Sequence, residues 1–302
     1  MHRTIITRRQ FIEKTAAMAG GILLSPLAVR AAGKKTAVDQ VPLGKTGIKT
    51  SRLGIGIGTN SGRVQQELGQ EGLNRLIRYA YDQGITYIDI ARGYRTHGML
   101  REAIKGLPRE KLFIQTKMGG VPEKPLEDID NYRKTYGVEY IDSLLVHCTI
   151  TPNWEEERKR VMDAMQEAKE KKIIRAHGVS CHSLPALTRA VELDWVDVHL
   201  VRVNPQGKYI DTQRIDTWNA ESNESHLPGV MEQLKRMHEK GRGVIGMKII
   251  GNGDFTKPED RDKSIRFAMG CGLLDCVTIG FKSPAEIDEA IQRMNSALAE
   301  MA

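Results

Sequence analysis

Between Leu53 and Ala299 the chain alternates strand signals with helix signals and leaves little else between them. Short β-branched or apolar runs give strands at Leu53–Gly58, Ile85–Ala91, Leu112–Met118, Ile141–Cys148, Ile174–Ser180, Val196–Val203, Val244–Ile250 and Cys276–Phe281. Segments with helical spacing follow them at Gln70–Asp82, His97–Gly106, Leu126–Tyr136, Trp154–Lys172, Leu184–Leu193, Val230–Lys240, Asp260–Met269 and Pro284–Ala299. Strict βα alternation makes the strands parallel. Eight such units at this length predict a closed (β/α)8 TIM barrel in one domain. An open doubly wound sheet shares the alternation. Its dinucleotide fingerprint G-x-G-x-x-G is missing from the first strand-to-helix turn, Gly58-Thr59-Asn60-Ser61-Gly62. Val41–Ile48 reads as a short hairpin ahead of the barrel.

In a barrel of this kind the chemistry sits at the C-terminal ends of the strands. The second strand ends in Asp89, with Tyr94 in the turn beyond it. The third ends in Thr116-Lys117-Met118 and the fourth in Val146-His147-Cys148. A carboxylate at a strand exit needs a partner, because an unpaired buried charge is costly. Lys117, on the neighbouring strand, is the expected partner of Asp89. An adjacent ammonium stabilises a phenolate, which makes Tyr94 a candidate general acid. His147 can hydrogen-bond a carbonyl oxygen. Together these four groups form a proton-donating site aimed at a carbonyl.

These residues resemble the aldo-keto reductase family. The matching motifs are Asp-x-Ala-x-x-Tyr at Asp89–Tyr94, strand-end Lys117, and Leu144-Leu145-Val146-His147. Supporting matches are Leu43–Gly47, Gly58-Thr59, Ile174–Ser180 and Ile279–Glu286, so the likeness runs over about residues 41–300 in order. It implies reversible hydride transfer between NADP(H) or NAD(H) and a small-molecule carbonyl substrate. Tyr94 would donate the proton, Asp89 and Lys117 would tune it, and His147 would orient the carbonyl.

The resemblance also implies cofactor contacts from Gly58, Thr59, Ser180, Cys181, Met247, Lys248, Gly280, Lys282, Ser283 and Glu286. Several of these depart from the family pattern. Cys181 stands where an Asn is common, and His199 or Leu200 where a Gln is. Met247 replaces a stacking aromatic residue, and Glu286 and Ala290 stand where an Arg and an Asn commonly grip a 2′-phosphate. Glu286 also reads as a capping-box residue after Ser283. These substitutions leave open a barrel that binds a small ligand without turnover.

The first 31 residues read as a separate unit. Arg8-Arg9 followed by Phe11, a weakly apolar run from Thr15 to Val29, and Val29-Arg30-Ala31 resemble a twin-arginine export signal with a cleavage site after Ala31. This implies recognition by the twin-arginine export machinery, a periplasmic location, and a barrel over residues 32–302. The segment holds five basic residues and one acidic residue, so +4 of the formal +7 lies in it. The remaining charges are interspersed and give no nucleic-acid footprint. No other segment is apolar enough to span a bilayer.

Cysteines, histidines and aromatic residues near the expected mouth complete the pattern. Cys148 and Cys181 follow neighbouring strand ends and either form a disulfide or stay unpaired. His147, His177, His182 and His199 raise a metal-hydrolase reading, against which the first strand lacks His-x-His. No metal is expected. The long segment Asn204–Pro228 carries Tyr209 and Trp218, and with Trp154 these aromatics are candidate pocket walls.

Overall fold

The structure is a computed structural model describing residues 34–301. The signal-peptide reading of residues 1–31 lies outside them. An antiparallel hairpin comes first, β1 (Gln40–Pro42) with β2 (Lys49–Ser51). Eight strands then close in parallel: β3 (Leu53–Gly56), β4 (Tyr87–Asp89), β5 (Phe113–Met118), β6 (Ile141–Thr149), β7 (Ile174–Cys181), β8 (Val198–Arg202), β9 (Gly243–Met247) and β10 (Cys276–Gly280). The order around the barrel is β10-β3-β4-β5-β6-β7-β8-β9, so chain order is spatial order and β10 closes on β3. This is the expected single-domain (β/α)8 TIM barrel.

Among the described residues ten α-helical segments cover the outside: α1 (Arg63–Gln66), α2 (Gly69–Asp82), α3 (Leu100–Ala103), α4 (Pro125–Tyr136), α5 (Trp154–Glu157), α6 (Lys159–Glu170), α7 (Leu184–Glu192), α8 (Leu227–Glu239), α9 (Pro258–Gly270) and α10 (Pro284–Glu300). Three points differ from the sequence expectation: α1 is an added turn of helix, and two expected helices change form. The helix expected at His97–Gly106 is a 3-10 turn followed by the four residues of α3. The long helix expected at Trp154–Lys172 breaks at Arg158 (φ −106°) into α5 and α6.

Strand periodicity sorts the side chains into two layers. Ile55, Ile88, Ile114, Val146, Val179 and Val201 face outward and pack under the helices. Tyr87, Phe113, Leu145, Ala176, Val198, Leu200 and Ile245 face inward. Val41, Leu43 and Ile48 of the hairpin join the inner layer and plug the N-terminal end of the barrel. Small residues give the bulky ones room. A Cβ on Gly54 would fall 2.1 Å from the Tyr87 ring, and one on Gly243 would fall 2.7 Å from Leu43. Ligands therefore enter only from the C-terminal mouth.

Candidate active site

The same periodicity carries Asp89, Lys117 and His147 to the mouth. Each lies two residues beyond an inward residue of its strand: Tyr87, Gln115 and Leu145. Lys117 Nζ donates to both Asp89 carboxylate oxygens at 2.8 Å and to the Ile90 carbonyl at 2.9 Å. Both residues are buried, Lys117 to 1% exposure. Burial alone would lower the lysine's pKa, but Asp89 and Tyr94 outweigh it and hold the ammonium above its usual range.

The Tyr94 ring lies over the end of the first barrel strand. Gly58 is what admits it, since a Cβ there would sit 2.0 Å from a ring carbon. The ring centre is 5.1 Å from Lys117 Nζ and 5.9 Å from the His147 ring centre. Burial raises the phenol's pKa, Lys117 opposes that, and Asp89 adds to it, so the net direction is upward. The ammonium by itself would lower the value, as the sequence pattern implies, but desolvation outweighs it. His147 is pushed down to about 3 by burial, reinforced by Lys117 and Lys248, so it is a neutral imidazole across the physiological range.

Below this layer lies a polar ladder that sequence reasoning missed. Gln115 Nε2 donates to Asp89 Oδ1 at 2.9 Å and to the Tyr87 hydroxyl at 2.8 Å. The Ser143 hydroxyl donates to Gln115 Oε1 at 3.0 Å. Asp89 is thus gripped from above by an ammonium and from below by an amide.

The mouth opens onto three joined spaces. A cavity of about 360 Å³ is lined by Tyr94, His147, Cys148, His182, Tyr209 and Trp218, among others. A neck of about 90 Å³ runs past Gly58, Tyr94, Met247 and Gly280. It leads to a groove of about 530 Å³ between β10, α10 and the segment after β9. Asn252 Nδ2 donates to Asn60 Oδ1 at 2.8 Å, joining the loops that flank the neck.

Most of the expected cofactor residues border this run. Gly58, Thr59, Met247, Lys248 and Gly280 line the neck. Gln65 holds Thr59 through backbone and hydroxyl. Gly280 is where the Thr59 hydroxyl fits, 2.0 Å from a would-be Cβ. Lys248 Nζ donates to Asn252 Oδ1 at 2.8 Å, and burial lowers its pKa to about 8. Lys282 and Glu286 line the wide groove. Ser180 pairs in register with His147, and its buried hydroxyl has no partner.

Three expectations are corrected, those for Cys181, for Trp154 and for the mouth position of β8, and two open readings, the cysteine pairing and the Ser283–Glu286 cap, are decided. Cys181 faces outward, where its sulfur accepts from the Thr149 hydroxyl at 3.3 Å, so it is not a cofactor contact. It also cannot pair with Cys148, whose thiol points into the mouth; both are free. Ser283 caps α10 by accepting from Glu286 N–H, and Glu286 answers by accepting from Lys282 N–H at 2.9 Å. Trp154 is fully buried and donates to the Ala186 carbonyl at 3.2 Å, so it walls no pocket. Arg202, not His199 or Leu200, takes the mouth position of β8. It is buried, pairs with Asp211 at 2.6 Å, and pins the long segment after β8.

His177 and His199 both face the helices, as a barrel wall requires. His177 stacks on Trp195 at 4.1 Å, and neither nitrogen of His199 has a partner. Tyr209 and Trp218 do wall the cavity.

Comparison with known proteins agrees with this geometry. The Aldo/keto reductase family profile matches residues 52–270. The Glycine max protein named "Probable aldo-keto reductase 1" is 31% identical over 184 residues, which is 52% of this chain and 51% of that protein. The chain spans about half the length of that protein and of a 31% identical Trypanosoma cruzi reductase. L-glyceraldehyde 3-phosphate reductase of Escherichia coli O157:H7 is 26% identical, with 84% of this chain and 86% of that protein aligned. An aldo-keto reductase of Bacillus halodurans in its holo form superposes with a TM-score of 0.66 at 14% identity, over 89% of this chain and 97% of that one, a likeness of fold. With the profile spanning most of the barrel, the chain belongs to the aldo/keto reductase family.

Proposed function

We propose that the protein reduces an aldehyde or ketone at the expense of NADPH or NADH, with Tyr94 as general acid. The observation that carries this reading is the convergence of Tyr94, the Lys117–Asp89 pair and His147 on one mouth that opens into a long groove. The residues along the groove fit a dinucleotide. Ser180 has a buried hydroxyl without a partner, and Gly58 and Gly280 keep the neck free of side chains. The nicotinamide, when bound, supplies the hydride.

Tyr94 gives its proton to the carbonyl oxygen. The Lys117 ammonium, held by Asp89, stabilises the phenolate that remains. Neutral His147 donates a hydrogen bond to the same oxygen and orients it. Tyr209 and Trp218 present apolar surface to the rest of the substrate.

Along the wide groove Arg261 and Arg293 both bond Glu289, and Lys282 faces Glu286. A 2′-phosphate would compete with these carboxylates, so NADH is expected to bind at least as well as NADPH. Residues 1–31 serve, in this reading, as a twin-arginine signal that delivers the folded protein to the periplasm. The Arg8-Arg9 pair and the apolar run behind it support that.

The experiment is a fluorescence titration with each cofactor, followed by turnover on an aldehyde panel. Tyr94→Phe should retain cofactor binding and lose about 10²–10⁴-fold in kcat. Binding of neither cofactor would overturn the reductase reading. Replacing Arg8 and Arg9 by Lys in the full chain should stop its export, and unchanged export would remove the signal assignment.

A further inference from the structure

The mouth holds a second set of donor atoms that carbonyl reduction does not need. His147, Cys148 and His182 place one ring nitrogen, one sulfur and another ring nitrogen within 4.8 Å of one another. Adjacent residues of a strand normally face opposite sides, so His147 and Cys148 should not share a face. They do because the β6–β7 register slips between His147 and Thr149, leaving Cys148 as the extra residue of a bulge. Cys148 sits there at φ +58°, a left-handed conformation unfavourable for a residue with a Cβ. That backbone turns the thiol into the cavity, beside His147.

His182 is prepared in a complementary way. Its Nδ1 faces the Trp218 carbonyl at 3.2 Å. A carbonyl only accepts, so Nδ1 carries the proton and Nε2 presents a lone pair. That Nε2 lies 3.7 Å from Cys148 Sγ. Nitrogen and sulfur ligands of one tetrahedral zinc stand about 3.6 Å apart, given the usual bond lengths. A backbone carbonyl on the far ring nitrogen is the usual support of a metal-bound histidine.

We propose that His147, Cys148 and His182 form a binding site for a borderline-soft cation of the Zn²⁺ class, and that the filled site excludes the carbonyl substrate. The donor set favours such an ion. Two imidazoles and a thiolate suit zinc or copper, whereas calcium and magnesium require carboxylate and carbonyl oxygens. Asp89, the nearest carboxylate of the reaction site, is engaged with Lys117. Binding releases the thiol proton to solvent and forms the metal–sulfur bond. Three protein ligands leave a fourth position open toward the cavity. The neighbouring cations Lys248 and Arg202 oppose the site, but the thiolate offsets one charge and Arg202 is neutralised by Asp211. The exclusion rests on His147 serving the carbonyl; the binding does not.

The test is titration of the purified full chain with Co²⁺, read by absorption, which requires no turnover. One equivalent should produce thiolate-to-cobalt charge transfer in the near ultraviolet. Cys148→Gly should lose that absorption. This variant removes the sulfur and relieves the left-handed backbone, so it keeps the bulge. His182→Ala should weaken binding at least 100-fold. No charge-transfer band in the wild-type chain, or one that survives Cys148→Gly, overturns the site. In a preparation shown to turn over, equimolar Zn²⁺ should abolish reduction and a chelator should restore it. Full turnover by the zinc-loaded protein overturns the exclusion.

Discussion

Gln115 shows how much of the site depends on a residue lying beneath the reacting groups. Its amide bonds Asp89, Tyr87 and Ser143, all within the barrel interior. Gln115→Leu preserves most of the volume but leaves Tyr87 and Ser143 unsatisfied and Asp89 with Lys117 alone. A loss of about 1–3 kcal/mol in stability is expected, from the unsatisfied groups. If Asp89 and Lys117 then shift, kcat should fall roughly ten- to a hundredfold while cofactor affinity holds. Urea denaturation and steady-state kinetics on the one variant separate the two effects, and unchanged kcat would assign Gln115 to stability alone. Asp89, Lys117 and His147 were legible from sequence because polar groups at strand exits stand out against apolar runs. Gln115 obeys the same two-residue spacing as Lys117, yet its partners lie on other strands and no local pattern reveals them. Cys181, one residue past inward Ser180, is turned outward by plain strand alternation, whereas Cys148 on the neighbouring strand is turned inward by a bulge. That bulge uses a non-glycine residue at positive φ, so it leaves no mark in the sequence.

Elements were easier to read than their ends. Each strand–helix unit carries its own periodicity, so all eight units and the hairpin could be assigned. The break at Arg158 was hidden inside a charged run. Trp154 there is anchored to Ala186 of α7, while Val161, Met165 and Ala168 turn α6 onto the barrel core. One element-level device sits at the barrel's closed end, far from the chemistry. Asp142 at the start of β6 accepts from Arg109 at 2.7 Å, from Arg175 at 2.7 Å and from the Ile114 amide at 2.9 Å. The Arg109 guanidinium lies 4.0 Å over the Tyr140 ring. A fully buried carboxylate thus ties together β5, β6, β7 and the turn leading into β5. Removing one member of such a cluster leaves uncompensated charge, and Asp142→Ala is expected to destabilise by about 3–5 kcal/mol. The N-terminal end of such a barrel serves stability and the other end serves catalysis. The folded fraction of the variant should therefore keep its kcat, which thermal melting and kinetics at low temperature will check.

At the scale of the whole molecule the buried histidines govern the response to acid. Burial pushes His147 and His199 down to about 3 and His177 to about 4, and it drives His182 well below its usual range. Above about pH 6.5 these groups are neutral in both the folded and the unfolded chain and contribute nothing to the pH dependence. Below that value the unfolded chain takes up protons that the folded chain refuses. Stability present above the unfolded pKa is therefore eroded as pH falls toward the folded values, by on the order of 1 kcal/mol per pH unit for each histidine. Asp211 and Asp275 act in the opposite sense, since burial raises their pKa and the folded state protonates first. Two carboxyls thus oppose four histidines, so the net loss of stability on acidification follows the histidines. His199 isolates the effect: it is 1% exposed, its nitrogens have no partner, and it lies outside the mouth. His199→Leu removes a desolvated polar ring without breaking a hydrogen bond. It should be at least as stable as the wild-type chain at pH 7, and it should lose one histidine's share of the slope. Urea unfolding at pH 7, 6 and 5 measures both quantities. An unaltered slope in this variant would mean that the ring is already solvated in the native protein.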